Sequence, residues 1–279
     1  MQRITNSVIS KLITFFYIME LITSKDNKRI KTVKKLIASA SFRREESLFT
    51  AEGLRLCGDA LSSGAQIESA YFSEDFLTKH PDFAERAEAA VKSCFVLKNS
   101  IFSALCDTKT PQGVLFVIKT LDKTLDFDKM KKNGKVVALE NIQDPTNLGT
   151  ILRSAEAFGV DMVALSRDCC DIYAPKVIRG SMGAIFRQPF VIVDDMAAFI
   201  RDFNAIGASY AAVLDRDSTA LSACDFSGAA LCAVGNEGNG LSAAVIAACM
   251  QKVFIPMRGG AESLNASAAA SICFIGRRL

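Results

Sequence analysis

Two hydrophobic periods alternate along the chain. In "KRIKTVKKLIASA" (28–40) the apolar residues Ile30, Val33, Leu36 and Ile37 recur at helical spacing, which predicts a helix whose opposite face is densely basic. Short apolar runs of strand character follow at "LFTAEG", "IESAYFS", "CFVLK" and "GVLFVIK", with helical "LRLCGDALSSG" and "DFAERAEAAVK" between them. This predicts a small α/β domain ending near Lys119. The polar, glycine-terminated "LDKTLDFDKMKKNG" (121–134) reads as a linker. From Lys135 the pattern restarts more strongly, with strands at "KVVALEN", "DMVALS", "FVIV", "SYAAVL", "ALCAVG" and "KVFIPM" separated by helical segments such as "LGTILRSAEAFG". Apolar strands alternating with helices predict a mostly parallel sheet covered on both faces. The predicted division is a leader over 1–24, a first domain over 25–120, a linker over 121–134 and a second domain over 135–279.

With 279 residues, half of them hydrophobic, each domain can bury a core, which excludes a disordered chain. The net charge is only +3, but between residues 25 and 44 Lys25, Lys28, Arg29, Lys31, Lys34, Lys35, Arg43 and Arg44 face the single acid Asp26. Such a stretch is suited to phosphates. Nine cysteines lie scattered, none in a CxxC or at zinc-ligand spacing with the lone His80, so reduced cytoplasmic thiols and no metal are expected. The apolar "VISKLITFFYIMELI" (8–22) is interrupted by Lys11 and shorter than the ~20 residues of a bilayer span. No membrane association is expected of it. A leader preceding a natural start at Met19 is the favoured reading.

Ligands in parallel α/β sheets bind at the carboxyl ends of strands, and three polar stretches follow strand ends here: after Leu139, after Val234 and after Ile255. In "NIQDPTNLGTILRSAEAFG" (141–159) Asp144 and Pro145 make a helix start, with Asn147 near its mouth. Leu148, Ile151, Leu152 and Ala155 form its apolar stripe. Arg153 lies roughly opposite that stripe, and Gly149 permits a close approach. In "AVGNEGNGLS" (233–242) Gly235, Gly238 and Gly240 surround Asn236 and Glu237, a backbone-rich loop that lacks the dinucleotide fingerprint. In "FIPMRGGAESLNASAAASI" (254–272) Ser263 and Asn265 precede a helix of very small residues, where either could serve as an N-cap.

Together with "KVIRGSMGAIFRQP" (176–189), these stretches resemble, in order, the motifs of the SpoU (TrmH-type) RNA 2′-O-ribose methyltransferases of the SPOUT superfamily. The segment "NKRIKTVKKLIASASFRREESLFTAEGLRLC" resembles the L30e-like substrate-binding domain of ribosomal-RNA members. The resemblance implies an α/β fold with a deep trefoil knot, a homodimer with the active site near its interface, and S-adenosyl-L-methionine as cofactor. It implies catalytic positions at Asn147, Arg153, Glu237, Ser263 and Asn265. Cofactor-binding positions are expected at Leu214, Gly235, Asn236, Gly238, Ile255, Met257, Leu264, Asn265 and Ser267. RNA contacts are expected from Lys28, Arg29, Lys31, Lys35, Arg43 and Arg44, and from Lys176, Arg179 and Arg187. The implied substrate is a ribose 2′-hydroxyl in structured RNA, with 23S ribosomal RNA favoured over transfer RNA.

In-line methyl transfer needs two partners held in one site and help in removing a hydroxyl proton. A guanidinium stays protonated below a pKa of about 12, so Arg153, oriented by Glu237 and Asn147, is expected to stabilise the developing alkoxide; outright proton abstraction is the alternative. Two rival readings fit the residues less well. A non-catalytic RNA-binding or ribosome-associated protein of this fold would not need all five polar motif residues, and a nucleotide-binding oxidoreductase would need the missing fingerprint.

Overall fold

A computed structural model describes residues 19–121, 133–215, 217–260 and 263–275, without the side chains of 274 and 275. The chain divides into two compact units, one running to Leu121 and including Tyr173–Pro175, the other formed by the remainder.

The first unit contains β1 (Glu20–Ile22), α1 (Lys28–Ala38), α2 (Ala40–Glu46), β2 (Leu48–Glu52), α3 (Leu54–Ser63), β3 (Ile67–Ser73), α4 (Glu74–Lys79), α5 (Pro81–Ala90), β4 (Cys94–Leu97), α6 (Asn99–Leu105) and β5 (Val114–Lys119). Its sheet runs β1-β4-β3-β5-β2, parallel from β1 to β3 and antiparallel through β5 to β2. Helix α1 starts where the Asn27 side chain accepts the amide of Arg29 at 2.8 Å. Its stripe of Ile30, Val33 and Leu36 packs on Tyr71, Phe95 and Phe102 of the sheet and α6. Burying each such side chain contributes about 1.5–3 kcal/mol.

The expected leader over 1–24 needs correction at its end. Glu20–Ile22 pair in parallel with Phe95–Leu97, and Met19 and Ile22 are buried. Three residues of strand are too short to show a period, but an edge strand with one inward side chain suffices to anchor them. Residues 1–18, and 122–132 of the expected linker, lie outside the described residues.

The second unit contains β6 (Lys135–Leu139), α7 (Pro145–Ala157), β7 (Met162–Ser166), α8 (Pro175–Gly180), β8 (Phe190–Val193), α9 (Met196–Phe203), β9 (Ala208–Ala212), β10 (Thr219–Ala220), β11 (Ala230–Val234), α10 (Ala243–Ala248), β12 (Gln251–Phe254) and α11 (Ala266–Ile275). The seven strands run β10-β12-β9-β11-β6-β7-β8, every neighbouring pair parallel. Strands β6, β7 and β11 are buried at every position, which explains why they are apolar apart from Lys135 and Ser166 at their ends.

Register brings the three polar stretches together. Val234 lies opposite Leu139, Ala233 opposite Ala211, and Val253 opposite Ala212, so β6, β11, β9 and β12 end side by side. Helix α11 lies against α7 and β11. The glycine in α7 has a structural use: a Cβ on Gly149 would stand 2.9 Å from the Cα of Gly180. Gly149 therefore admits helix α8, not a ligand.

Candidate functional site

Helix α7 begins as the sequence predicts. Asp144 accepts the amide of Thr146 at 2.7 Å, and Pro145 occupies the first turn. That hydrogen bond holds the Asp144 carboxyl below its ordinary pKa, with Lys176 adding a smaller effect. The cap sets Asn147 on the inner side of the first turn, 6% exposed.

A carboxylate only accepts hydrogen bonds, so the direction of the network around Asn147 is fixed by Glu237. Asn147 presents Nδ2 to Glu237 Oε1 at 2.8 Å. Its Oδ1 is thereby left to accept Nδ2 of Asn265 at 2.9 Å. Asn265 in turn presents Oδ1 to the amide and hydroxyl of Ser267, at 2.9 and 2.6 Å, and so caps α11. One polar chain thus joins all three motif stretches.

The loop after β11 is shaped by its glycines. Asn236 and Gly240 exchange both backbone hydrogen bonds, at 3.0 and 2.9 Å. This turn brings Gly240 so near that a Cβ on Gly235 would meet its carbonyl carbon at 2.2 Å. The Asn236 side chain is consumed by architecture: Oδ1 accepts the amides of Gly238 and Asn239, at 2.8 and 3.0 Å, and Nδ2 donates to the carbonyl of Asn141 at 2.9 Å. The Asn236 side chain thus ties two motif loops, while the residue itself lines the cleft described next.

Between these loops lies a cleft of about 520 Å³, inside the range of roughly 300–1,000 Å³ typical of small-molecule sites. Leu214, Ile255, Met257 and Leu264 give it an apolar wall, and the turn from Gly235 to Gly240 gives it a wall of backbone groups. Glu237 and Ser263 also line it, with Ala266 and Ala269 of α11 beneath. Asn147, Asn265 and Ser267 do not line it; they connect to it through the hydrogen bond of Asn147 to Glu237. Leu214 is 70% exposed, the largest such value among the bulky apolar residues described, which suits a side chain that a ligand would cover.

Arg153 is exposed on α7, outside the residues lining the cleft. Among the described residues it has no ion pair, and Glu237 is engaged by Asn147 in its place. The expected orientation of Arg153 by Glu237 and Asn147 is corrected accordingly.

The sequence missed the supports. Asn141 takes a left-handed φ of 55° at the end of β6, which points its carbonyl at Asn236. Glu140 accepts both the amide and the hydroxyl of Ser242 at 2.7 Å, fixing the start of α10. Cys169 donates to the carbonyl of Leu139 at 3.4 Å, and burial raises its pKa. Burial also pushes Cys170 up to about 12, so neither is a thiolate nucleophile near neutral pH. An Asn at a strand end was the one legible signal among these.

In the first unit Lys28, Arg29, Lys31, Lys35 and Arg44 are exposed, as RNA contacts require. Arg43 is corrected: it is 4% exposed, and its Nη1 donates to the carbonyls of Leu36 and Ile37, at 2.5 and 3.1 Å, closing the end of α1. In the second unit Lys176 is exposed near Asp144, Arg179 is half-buried, and Arg187 forks onto Glu156. The lone His80 is half-buried in the first unit, its ring 4.8 Å from that of Phe76. Among the described residues there is no cluster of metal-ligating side chains and no helix long and apolar enough to cross a membrane. None of the nine cysteines is in a disulfide.

Residues 134–275 match the SpoU rRNA Methylase family, and residues 27–115 match the MRM3-like substrate binding domain. The chain is 30% identical over 256 residues to an uncharacterised tRNA/rRNA methyltransferase of Synechocystis sp., covering 90% of each. It is 29% identical over 254 residues to the 23S rRNA (guanosine(2553)-2′-O)-methyltransferase of Bacillus subtilis (strain 168), covering 91% of this chain and 97% of that protein. The AdoMet-bound structure of an rRNA methyltransferase from Sinorhizobium meliloti superposes with a TM-score of 0.84 at 27% identity, over 93% of this chain and 97% of that one.

Proposed function

From the premise that this chain belongs to the SpoU rRNA methylase family, we propose that it methylates a ribose 2′-hydroxyl of ribosomal RNA with S-adenosylmethionine as donor. The observation that carries this reading is the chain Glu237–Asn147–Asn265–Ser267, which unites the three motif stretches beside one cleft. The cleft fits the cofactor by its chemistry, because an apolar wall suits a flat heterocycle while backbone groups suit a charged amino-acid tail. When bound, the cofactor supplies a methyl group on a sulfonium.

The chain's own residues hold the other partner. Positioning alone is worth up to ~7–11 kcal/mol when two reactants share a site, and the capped, hydrogen-bonded motif loops provide that rigidity. Glu237, which accepts the Asn147 amide and lines the cleft, ties the first motif to the loop after β11. Arg153 contacts the ribose 2′-oxygen and a neighbouring phosphate, and its permanent charge stabilises the alkoxide that develops as the hydroxyl proton passes to solvent. Its position outside its own chain's cleft supports a homodimer in which the reacting oxygen lies near the subunit interface. The knotted connection of the SPOUT fold belongs to the same reading, with the backbone at Leu214, Gly235, Ile255 and Leu264 as cofactor contacts.

The first unit takes the RNA through the exposed lysines of α1 and Arg44, with Lys176, Arg179 and Arg187 adding contacts in the second. Twenty-three S ribosomal RNA is the proposed target and the cytoplasm the proposed compartment, the latter supported by nine thiols without a disulfide. The test is incubation with isotope-labelled S-adenosylmethionine and ribosomal RNA, followed by nuclease digestion. Label in a 2′-O-methylnucleoside is expected. Cofactor binding without label in RNA would instead make the chain a non-catalytic RNA-binding protein.

A further inference from the structure

Two rings and a guanidinium gather near one edge of the first unit's sheet. The rings of Tyr71 and Phe95 stack with centroids 5.2 Å apart and 28° between their planes. The guanidinium carbon of Arg29 lies 4.5 Å above the Phe95 ring. Tyr71 and Phe95 are buried whereas Arg29 is exposed, so the guanidinium is the solvent-facing member of the group. Arg29 and Phe95 also belong to the wall of a hollow of about 240 Å³, completed by Glu20, Glu88, Lys92 and Ser93. Pairing of β1 with β4 sets Glu20 directly beside Phe95.

The hollow's charge is mixed, unlike the exposed face of α1. Two carboxylates in its wall disfavour a phosphate but accept hydrogen bonds from exocyclic amino groups. Lys92 and Ser93 donate to ring carbonyls or nitrogens. A guanidinium lying over an aromatic ring has a planar π-face with which a base can stack, as single-stranded RNA recognition commonly uses. Arg29 and Lys28 also occupy the first turn of α1, with no acid there, which opposes the helix dipole. A use outside the fold accounts for cations placed where they weaken the helix.

We propose that this hollow accepts one unpaired nucleobase of the RNA substrate, stacked on Arg29 with its amino edge toward Glu88 and Glu20. The proposal rests on the reading of the chain as an RNA-modifying enzyme. It separates Arg29, which takes a base, from Lys28, Lys31 and Lys35, which take phosphates.

The experiment uses the full chain and two fluorescent probes: a single-stranded oligoadenylate of about a dozen nucleotides and an RNA duplex of the same length, each titrated across a salt series. Arg29→Lys keeps the charge and removes the plate. It is expected to weaken oligoadenylate binding about tenfold, to leave the salt slope unchanged, and to leave duplex binding as it was. Phe95→Leu, which removes the support while keeping an apolar side chain, is expected to reproduce the oligoadenylate loss. Lys31→Gln is expected to flatten the salt slope on both probes. Wild-type oligoadenylate affinity in Arg29→Lys, or an equal loss on both probes, overturns the proposal, the second outcome making Arg29 a phosphate contact. Methyl transfer by the wild-type chain is measured alongside. Transfer without the Arg29 difference removes the hollow alone, whereas the Arg29 difference without transfer removes the enzymatic reading alone.

Discussion

The side-chain amide of Asn147 donates to the carboxylate of Glu237 at 2.8 Å, across 90 positions of sequence. Because the carboxylate dictates which end of each amide points where, one substitution reverses the pattern. Asn147→Asp sets two carboxylates in contact, and both cannot ionise without repulsion. A loss of methyl transfer on the order of a hundredfold is expected. Single-turnover methylation checks this; turnover within a few-fold of the original chain removes the Asn147–Glu237 contact from the mechanism.

Arg153 is exposed and holds no ion pair among the described residues, so its removal should leave the fold intact. Arg153→Ala and Arg153→Lys are expected to keep thermal stability within about 0.5 kcal/mol and to keep cofactor affinity, while methyl transfer is lost. The lysine fails because a point charge cannot replace a planar fork. Normal turnover in either variant removes Arg153 from the mechanism.

Gly235 has no room for a methyl group, since the added carbon would lie 2.2 Å from the Gly240 backbone. Gly235→Ala should force the turn open at a cost on the order of 1–3 kcal/mol. Isothermal titration with S-adenosylmethionine should then show lost binding, because the same turn forms the cleft's backbone wall. Gly238→Ala, whose added carbon meets only the Asn236 side chain at 3.5 Å, is the milder control.

Adjacent arginines should part company. Arg43→Ala strips two carbonyls at the end of α1 of their buried donor, with an expected loss of about 2–3 kcal/mol and little direct effect on phosphate binding. Arg44→Ala should leave stability unchanged and weaken RNA binding at low salt. Thermal melts and RNA titrations on both variants distinguish the roles.

Truncation tests the edge strand. A chain beginning at Lys25 discards the buried Met19 and Ile22 and should be less stable than one beginning at Met19 by on the order of 3 kcal/mol. Equal melting temperatures would mean that β1 contributes nothing to the sheet.

The long elements were legible because each carries a full period: Ile30, Val33 and Leu36 mark α1, and the apolar runs mark β6, β7 and β11. Helices α2, α4 and α6, of six or seven residues, show no such repeat and emerge only where caps and packing define them. At the site, the motif residues could be named but not their wiring. Which amide faces Glu237 depends on register between strands far apart in sequence. Arg43 was misread for a related reason: charge is visible in a sequence, but the carbonyls it turns inward to meet are not.

An all-parallel sheet contains no hairpins, so its pairings can form only after long connections have been made. Strand β11 enters the sheet's middle, between β9 and β6, although both are synthesised before it. Until it arrives, two rows of backbone donors and acceptors wait for a partner, which makes such topologies slow to fold and open to misassociation. The first unit also inserts late strands, β4 between β1 and β3 and β5 between β3 and β2, but its sheet is complete by Lys119. During synthesis the chain therefore completes the unit proposed to bind RNA well before the unit proposed to modify it, so on that reading a nascent protein can hold a nucleic acid that it is not yet able to methylate.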